Sequence, residues 1–373
     1  MRIHAINAFE GDCLLLEDDT SASYALLDGG PRGTFDAHLG AYLRHVIGAD
    51  GTLEAVIVSH VDADHIAGVL DLLADIERGR ADGDGSSIRV TDLWHNSFSR
   101  TLDDAGGSLQ SNLQAMMSLA GRAKTFAANS SIAFLGISQG ARLRRLALKL
   151  GIPINAAFAG GLISQDEQAG VSWALGQASF TVVGPTADNL RELREKWVEW
   201  IEQNLDAFAQ GDTAAMANAD KSVPNLSSIV LLGTTPHGDV LLTGDARGDH
   251  ILQGLEQSGE LAPGGSRHFR LVKLQHHGSI RNVEQDFFER LTADVYLVSA
   301  DGKHGNPDLA ALTLLVDVAH AAGRQPLVVV TNEPPSVVQL RADRPPVQFN
   351  YELEVRDPQK DSVIVDLATG KVA

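Results

Sequence analysis

The chain has 373 residues, of which 44% are hydrophobic, and its formal net charge at pH 7 is −18. Such a chain can bury a large core, so we expect one large domain or two smaller ones rather than disorder. The single cysteine excludes an intramolecular disulfide and, despite thirteen histidines, a thiolate zinc finger. Any metal must therefore be held by imidazole and carboxylate groups. The acidic charge argues against non-specific binding to nucleic acid, which depends on Lys and Arg.

The N-terminal sequence lacks a basic segment followed by an apolar run and a small-residue cleavage site. In addition, no stretch of the chain reaches the length of a membrane span. We therefore expect a soluble, cytoplasmic protein that does not contact a membrane. The sequence leaves the oligomeric state open.

The first hundred residues alternate short β runs with helical patterns. A strand, turn and strand pattern over residues 2–27 leads into Asp28 and two glycines, and helical periodicity covers Ala37 to Ile47. The β-rich run Leu53 to Val58 is followed almost directly by His60. A helix is predicted for Ile66 to Arg78, and a strand for Ile88 to Trp94.

Residues 97–220 are less regular and are rich in Ala, Ser, Gln and Gly. Helical periodicity covers Ser108 to Phe126, Gly140 to Leu150 and Ala187 to Phe208, with a strand predicted at Ala178 to Val183. Strand signals resume on both sides of this range. We therefore predict a single domain of residues 1–373 that contains a helical insertion at 97–220.

After this range, several predicted strands end on polar side chains. A hairpin within residues 228–242 leads to Asp245, the strand Phe269 to Leu274 leads to His276 and His277, and the strand Val295 to Ser299 leads to His304. Further strands are predicted at 326–331 and within 349–365. Since polar groups at the ends of adjacent strands converge on one edge of an α/β sheet, we expect these side chains, with Asp28 and His60, to share one site.

The segment from His60 to His65 carries the strongest chemical signal. It reads His60-Val61-Asp62-Ala63-Asp64-His65 and places four potential metal ligands in six residues. Imidazole and carboxylate ligands suit zinc, manganese and iron, and a turn after a strand can fold such a segment around two ions. A solvated polar loop is the alternative interpretation. We predict a metal site.

This segment resembles the signature loop His-x-His-x-Asp-His of the metallo-β-lactamase superfamily, with Asp62 in place of the second histidine. That variant is similar to the ComEC-type metallo-β-lactamase-like domain of proteins that take up DNA. Other segments match in the same order over roughly residues 1–310, at 9–12, 27–30, 225–230, 241–245 and 276–279. The last of them, His-His-Gly-Ser, also resembles the phosphorylcholine esterases of the same superfamily.

The resemblance implies an αββα sandwich, in which two mixed sheets pack face to face with helices outside and an inserted helical subdomain lies over the active-site edge. It also implies two divalent metal ions, zinc or manganese, with a bridging hydroxide as the nucleophile. The first ion would be held by His60 and Asp62, and the second by Asp64, His65 and His277, with Asp245 bridging both.

Other positions take roles outside this ligand set. By the same resemblance, His276 would face the scissile phosphate or the leaving group, and Asp28 would orient a ligand histidine. Asp64, His276 and His304 are the candidates for direct participation in catalysis. His304, beside Lys303, follows a strand, and the alternative for it is a plain loop histidine.

The chain departs from the superfamily pattern at two positions. Asn225 lies where the superfamily usually supplies another histidine to the first metal, and Asp62 adds a hard oxygen ligand that favours manganese or magnesium over zinc. His95 is a candidate for the missing imidazole or for substrate contact, whereas a hydrogen-bonded rim histidine is the alternative. The cluster Arg142 to Arg145 is equally consistent with a phosphate-binding patch and with a solvated helix face.

The predicted function is metal-dependent hydrolysis of a phosphodiester, either in nucleic acid or in a small molecule. This choice follows the relatives that the chain resembles and the paired His276 and His277, which suit a phosphate. One alternative is an ester, lactone or thioester hydrolase of the same fold. A degenerate metal-binding interaction module is another, because Asn225 replaces a ligand.

Overall fold

The computed structural model describes residues 1–82, 87–96, 132–196, 199 and 224–373. The predicted helix at Ser108 to Phe126 and the end of that at Ala187 to Phe208 lie outside these residues. The strands, in chain order, are β1 (Arg2–Ile6), β2 (Leu14–Asp18), β3 (Ser23–Leu27), β4 (Thr52–Leu53), β5 (Ala55–Ile57), β6 (Arg89–Val90), β7 (Leu93–Trp94), β8 (Ser172–Leu175), β9 (Ala178–Gly184), β10 (Val230–Thr235), β11 (Gly238–Leu242), β12 (Arg267–Lys273), β13 (Leu291–Val298), β14 (Leu327–Val330), β15 (Glu352–Val355) and β16 (Ser362–Asp366).

The helices lie mostly between strands of the same sheet. A π-helical turn, Phe35–Leu39, runs directly into the first α-helix, and residues 187–196 are also helical. The α-helices are α1 (Gly40–Val46), α2 (Ala63–Asp82), α3 (Ile132–Leu150), α4 (Gly248–Gln257), α5 (Gln285–Arg290), α6 (Leu309–Ala321), α7 (Pro335–Asp343) and α8 (Pro346–Phe349). None of the helices in the described part of the chain is both long and apolar enough to cross a bilayer.

Two large mixed sheets form the framework. The six-stranded sheet has the order β16-β1-β2-β3-β5-β7, and the eight-stranded sheet has the order β15-β14-β13-β12-β11-β10-β9-β8. Within these two sheets, the pairs β3-β5 and β5-β7 and all pairs from β11 to β15 are parallel. The remaining pairs of the two sheets are antiparallel. The chain is therefore an α/β protein with mixed sheets, as expected.

The alternation of side chains along each strand distributes the core between layers. In β2, the side chains of Leu14 and Leu16 pack into one apolar cluster and that of Leu15 packs into another on the opposite face. In β13, the neighbouring side chains of Tyr296 and Leu297 likewise pack into different clusters. The cluster that contains Leu14 and Leu16 is formed by side chains from both sheets. A second cluster lies between the eight-stranded sheet and its helices, and a third lies between the six-stranded sheet and its helices. This layering is compatible with a sandwich.

Most elements predicted from periodicity are confirmed, with shifted ends. Helix α2 begins at Ala63, so that part of the predicted metal segment lies on its first turn. The single strand predicted for Ile88 to Trp94 is wrong, because β6 pairs with β4 in a separate two-stranded ribbon and β7 pairs with β5 in the six-stranded sheet. The range 97–220 contributes β8 and β9 to the eight-stranded sheet as well as helix α3.

Candidate metal centre

Asp28 follows β3 and organises the first wall of the site. Its backbone has a left-handed φ of 59°, and its carboxylate accepts hydrogen bonds from the Ser59 backbone N–H at 2.8 Å and from the Ser59 hydroxyl at 2.7 Å. The same carboxylate accepts a 2.8 Å hydrogen bond from Nδ1 of His65. The Nδ1 proton fixes the tautomer of His65, so its Nε2 is free to act as a ligand.

The segment between β5 and α2 brings the predicted ligands together. The Asp62 carbonyl accepts the amides of His65 and Ile66 at 3.0 Å each, which starts the helix. The rings of His60 and His65 lie 4.2 Å apart between centroids, and Nε2 of His60 lies 3.6 Å from a carboxylate oxygen of Asp62. A helix that begins here therefore gathers both imidazoles and the carboxylates at one end.

Asp245 lies at the centre of the cluster, just after β11. Its carboxylate oxygens lie 3.3 Å from Nε2 of His65, 3.5 Å from Nε2 of His277, 3.7 Å from Nε2 of His276 and 3.9 Å from Nε2 of His60. Nε2 of His60, His65 and His277 forms no hydrogen bond to a described residue, so these contacts have instead the spacing of groups around a common cation. Asp245 is the position that the resemblance assigns to a bridging ligand.

His276 and His277 form a tight turn after β12 with left-handed φ values of 46° and 55°. The rings of His276 and His277 point in different directions and have different hydrogen-bond partners. His277 donates from Nδ1 to the Ser299 carbonyl at 3.0 Å, which leaves Nε2 facing Asp64 at 3.5 Å. His276 donates from Nδ1 to the Asn282 side-chain carbonyl at 2.8 Å and remains partly exposed.

Asn225 contacts the outer part of this turn. Its side-chain nitrogen lies 3.3 Å from Nδ1 of His276, and its side-chain oxygen is buried without a hydrogen-bond partner among the described residues. The amide therefore adjoins the site at the position where the superfamily pattern has an imidazole.

Asp12 and Lys273 are buried members of the site that the sequence analysis did not assign. Lys273 is 1% exposed, forms an ion pair with Asp12 and donates to the Gly244 carbonyl at 3.2 Å. Asp12 also lies 3.3 Å from Nδ1 of His277. The only available signal was that Asp12 ends one of the matching segments, 9–12. Gly11 allows this approach, because a Cβ there would lie 1.9 Å from the Asp64 carbonyl oxygen.

The ligand atoms of this cluster lack partners. Among the described residues, no hydrogen bond reaches Nε2 of His60, His65 or His277, or one carboxylate oxygen each of Asp12, Asp62 and Asp245. Buried polar atoms are normally paired, so such a group of orphaned atoms needs an explanation. One ligand atom from each of Asp12, His65, Asp245 and His277 lies within 4.8 Å of the others, so these buried residues could hold a metal ion.

In the metal-free protein the mutual electrostatics favour the charged form of Asp245 and the protonated forms of His65 and His277. Burial raises the pKa of Asp245, but His277 and His65 lower it far more, to well below its ordinary range. Burial lowers the pKa of His277, yet Asp245 and Asp12 raise it overall to about 10. The pKa of His65 is raised well above its ordinary value for the same reason. A cation bound by Nε2 of His65 and His277 would therefore displace a proton from each ring.

Two further candidate histidines, His95 and His304, lie outside the cluster around Asp245. His95 is buried close to Val61 and Gly140, and neither of its ring nitrogens is hydrogen-bonded to a described residue. Burial, followed by Arg144, lowers the pKa of His95 to about 4, which keeps its ring neutral. His304 is exposed in the loop after β13 and lines the cavity in front of the site.

That cavity has a volume of about 780 Å³ and opens onto the cluster. Its floor includes Asp62, Asp64 and His277, and its walls carry basic side chains, among them Arg247, Arg281, Lys196 and Lys303. The volume lies within the range of small-molecule and cofactor sites. When the chain is compared with known proteins, no family model and no curated protein matches it.

Proposed function

We propose that this protein is a metal-dependent hydrolase with the αββα sandwich of the metallo-β-lactamase superfamily, and that it cleaves phosphodiesters. The observation that carries the proposal is the convergence of buried imidazoles and carboxylates whose ligand atoms have no partners among the described residues. Ordinary structural histidines and aspartates satisfy their polar atoms. A cation supplies the missing partner.

The residues fit a metal ion by their chemistry. Imidazole Nε2 atoms of His60, His65 and His277 and oxygens of Asp62, Asp64 and Asp245 are the ligands we assign, as the resemblance implies. Asp12 lies on the opposite side of His277, next to Nδ1, and is already paired with Lys273. We therefore assign Asp12 to positioning His277 rather than to direct ligation, although its oxygen lies within the cluster.

The charge of the site supports two divalent ions rather than one. Five carboxylates converge there, from Asp12, Asp28, Asp62, Asp64 and Asp245, and Lys273 supplies one compensating ammonium. With neutral imidazoles this leaves four negative charges in a buried region, where uncompensated charge is costly. Two divalent cations would neutralise them.

The protein's own groups would then position substrate and water. A divalent ion in such a site makes water a stronger nucleophile at neutral pH and stabilises negative charge on phosphoryl oxygens. His276 is partly exposed to the cavity and is held by Asn282, so its Nε2 points where a substrate oxygen would lie. His276 is thus suited to hydrogen-bond the phosphate or to protonate the leaving group.

The histidines that line the cavity favour a phosphodiester over a neutral ester. His276 and His304 line the cavity in front of the cluster, whereas the charges of Arg247 and Lys303 are balanced by Asp249 and Glu10. A phosphodiester carries a negative charge in both ground and transition states, to which these imidazoles can donate hydrogen bonds, whereas a neutral ester carries none.

The test is a panel of chromogenic substrates. Purified protein loaded with manganese, zinc or magnesium is given bis(p-nitrophenyl) phosphate and p-nitrophenyl acetate, and bound metal is counted by elemental analysis. We expect cleavage of the phosphodiester and about two ions per chain. Asp64→Ala should abolish turnover, whereas Asp71→Ala, on the same helix but outside the cluster, should retain it.

Three outcomes would contradict the proposal. Cleavage of the acetate alone would identify an ester hydrolase, and fewer than one bound ion per chain after loading would favour an interaction module. Normal turnover of Asp64→Ala would show that the assigned centre does not perform the reaction.

A further inference from the structure

Among the described residues that line the cavity, one Lys or Arg side chain has no carboxylate partner. Lys303 pairs with Glu10, Lys196 pairs with Glu192 at 2.9 Å, and Arg247 donates two hydrogen bonds to Asp249. Arg281 also lines the cavity, but within the described ranges its guanidinium forms no ion pair and no side-chain hydrogen bond. A guanidinium left unpaired in a cavity wall is suited to bind an anionic group of a ligand.

The position of Arg281 is tied to the metal centre through the turn that carries the histidines. It lies in the short 3-10 turn Ile280–Asn282, and the next residue, Asn282, accepts the hydrogen bond from His276 and donates to the Asp245 carbonyl at 3.3 Å. Arg281 lies four positions after His277, so their Cα atoms lie no more than about 14 Å apart. One small ligand can therefore contact both.

We propose that Arg281 forms an anion subsite and that the substrate is a small phosphodiester with a second anionic group, a phosphate or a carboxylate. The identity of the cleaved bond rests on the proposed function, whereas the anion subsite does not. The scissile phosphate lies over the metal centre and the second anionic group lies against Arg281. The subsite would make the protein bind substrates with two negative groups more tightly than substrates with one.

The same cavity is poorly suited to a nucleic-acid strand. Its volume of about 780 Å³ is that of a small-molecule site, and its walls also carry the carboxylates of Glu10, Glu192 and Asp301. The chain as a whole has a net charge of −18. A strand would bring many phosphates to this acidic surface, whereas a small ligand needs only the metal centre and one guanidinium.

The experiment compares two matched pairs of compounds. The first pair is the p-nitrophenyl ester of thymidine 5′-phosphate with and without a 3′-phosphate, tested as substrates. The second pair is thymidine 3′,5′-bisphosphate and thymidine 5′-monophosphate, tested for binding to metal-free protein by calorimetry. We expect the compound with the additional phosphate to have a KM or Kd lower by about tenfold, with kcat little changed.

Arg281→Gln should remove this tenfold preference, so that the two compounds of each pair have similar KM or Kd values. Arg145→Gln is the matched control, since Arg145 is an exposed arginine on α3 that does not line the cavity, and it should retain the preference. Carboxymethyl in place of the 3′-phosphate distinguishes a carboxylate requirement from a phosphate requirement.

Each result decides one of the two claims. If wild type shows no preference, or if Arg281→Gln retains it, the anion subsite is wrong. If a single-stranded oligonucleotide has a lower KM than the 3′-phosphorylated ester, the small-substrate inference is overturned. If no ester is cleaved but calorimetry shows an Arg281-dependent preference for the bisphosphate, the subsite stands and the proposed reaction fails.

Discussion

Metal binding should stabilise the folded protein, and Asp245→Asn should remove most of that effect. Asp245 is the carboxylate whose oxygens lie within 3.9 Å of the Nε2 atoms of four histidines, so its loss takes away the ligand common to the whole cluster. The unfolded chain has no such cluster. A cation that binds only the native state therefore increases the free energy of unfolding.

The size of the effect follows from mass action. With free metal at 100 times the dissociation constant, the native state gains roughly 2.7 kcal/mol. If Asp245→Asn weakens binding about 100-fold, the same metal concentration adds only roughly 0.4 kcal/mol. Urea titrations with manganese and with a chelator, for wild type and variant, measure both increments.

Asp92→Asn provides a control with similar burial. Asp92 accepts hydrogen bonds from the Ala156 and Ala157 amides and from the Trp94 indole, outside the metal cluster. We expect this variant to lose stability with and without metal, while its metal increment stays near that of wild type. A full increment in Asp245→Asn would refute the assignment of Asp245 as a shared ligand.

Three further predictions concern protons and packing. Metal binding at pH 7 should release protons, because the pKa of His277 is raised to about 10 and ligation requires the neutral ring; calorimetry in buffers of different ionisation enthalpy measures the release. Burial lowers the pKa of His95 to about 4, so the unfolded chain binds the proton more readily than the folded chain. The free energy of unfolding should therefore fall as the pH drops below about 6.5. His95→Gln should reduce this fall in stability between pH 7.5 and pH 5 by about 2 kcal/mol, measured by urea titration. Gly68→Ala should lower the unfolding free energy by about 1–3 kcal/mol, because its Cβ would lie 1.9 Å from the Gly29 carbonyl oxygen.

Each of these has a clear contrary result. Proton-neutral metal binding would mean that the imidazoles are not protonated before ligation. A pH profile of stability that is identical in wild type and His95→Gln would mean that His95 does not titrate as described. For Gly68→Ala, the comparison is Gly140→Ala, whose Cβ would meet the movable His95 ring at 3.3 Å. Equal losses in both variants would contradict the steric argument.

Local sequence was sufficient for most of the described secondary structure and for the types of polar side chain near the site. Short apolar runs gave strands such as β2 and β13, and polar residues soon after β3, β5, β11 and β12 indicated where a site would lie. These signals are short-range, because strand period and strand ends are set by neighbouring residues. The α/β class followed from them, whereas the two mixed sheets were expected from the resemblance.

Other features depend on contacts between residues that are far apart in the chain. Lys273, the last residue of β12, gave no sign that it would meet Asp12, and Asn282 gave none that it would hold His276. The short run at 89–94 divides between two sheets because its two halves find different partners, β4 and β5.

The sequence by itself determined which side chains were available to bind a cation, since periodicity and composition are local properties. Only the tertiary structure decided which nitrogen of each histidine is turned toward Asp245, which carboxylate is paired with Lys273, and which arginine in the cavity has no partner in the described part of the chain. The physical reason is that orientation and charge compensation depend on the packing of strands and turns from distant parts of the chain. No local pattern encodes that packing.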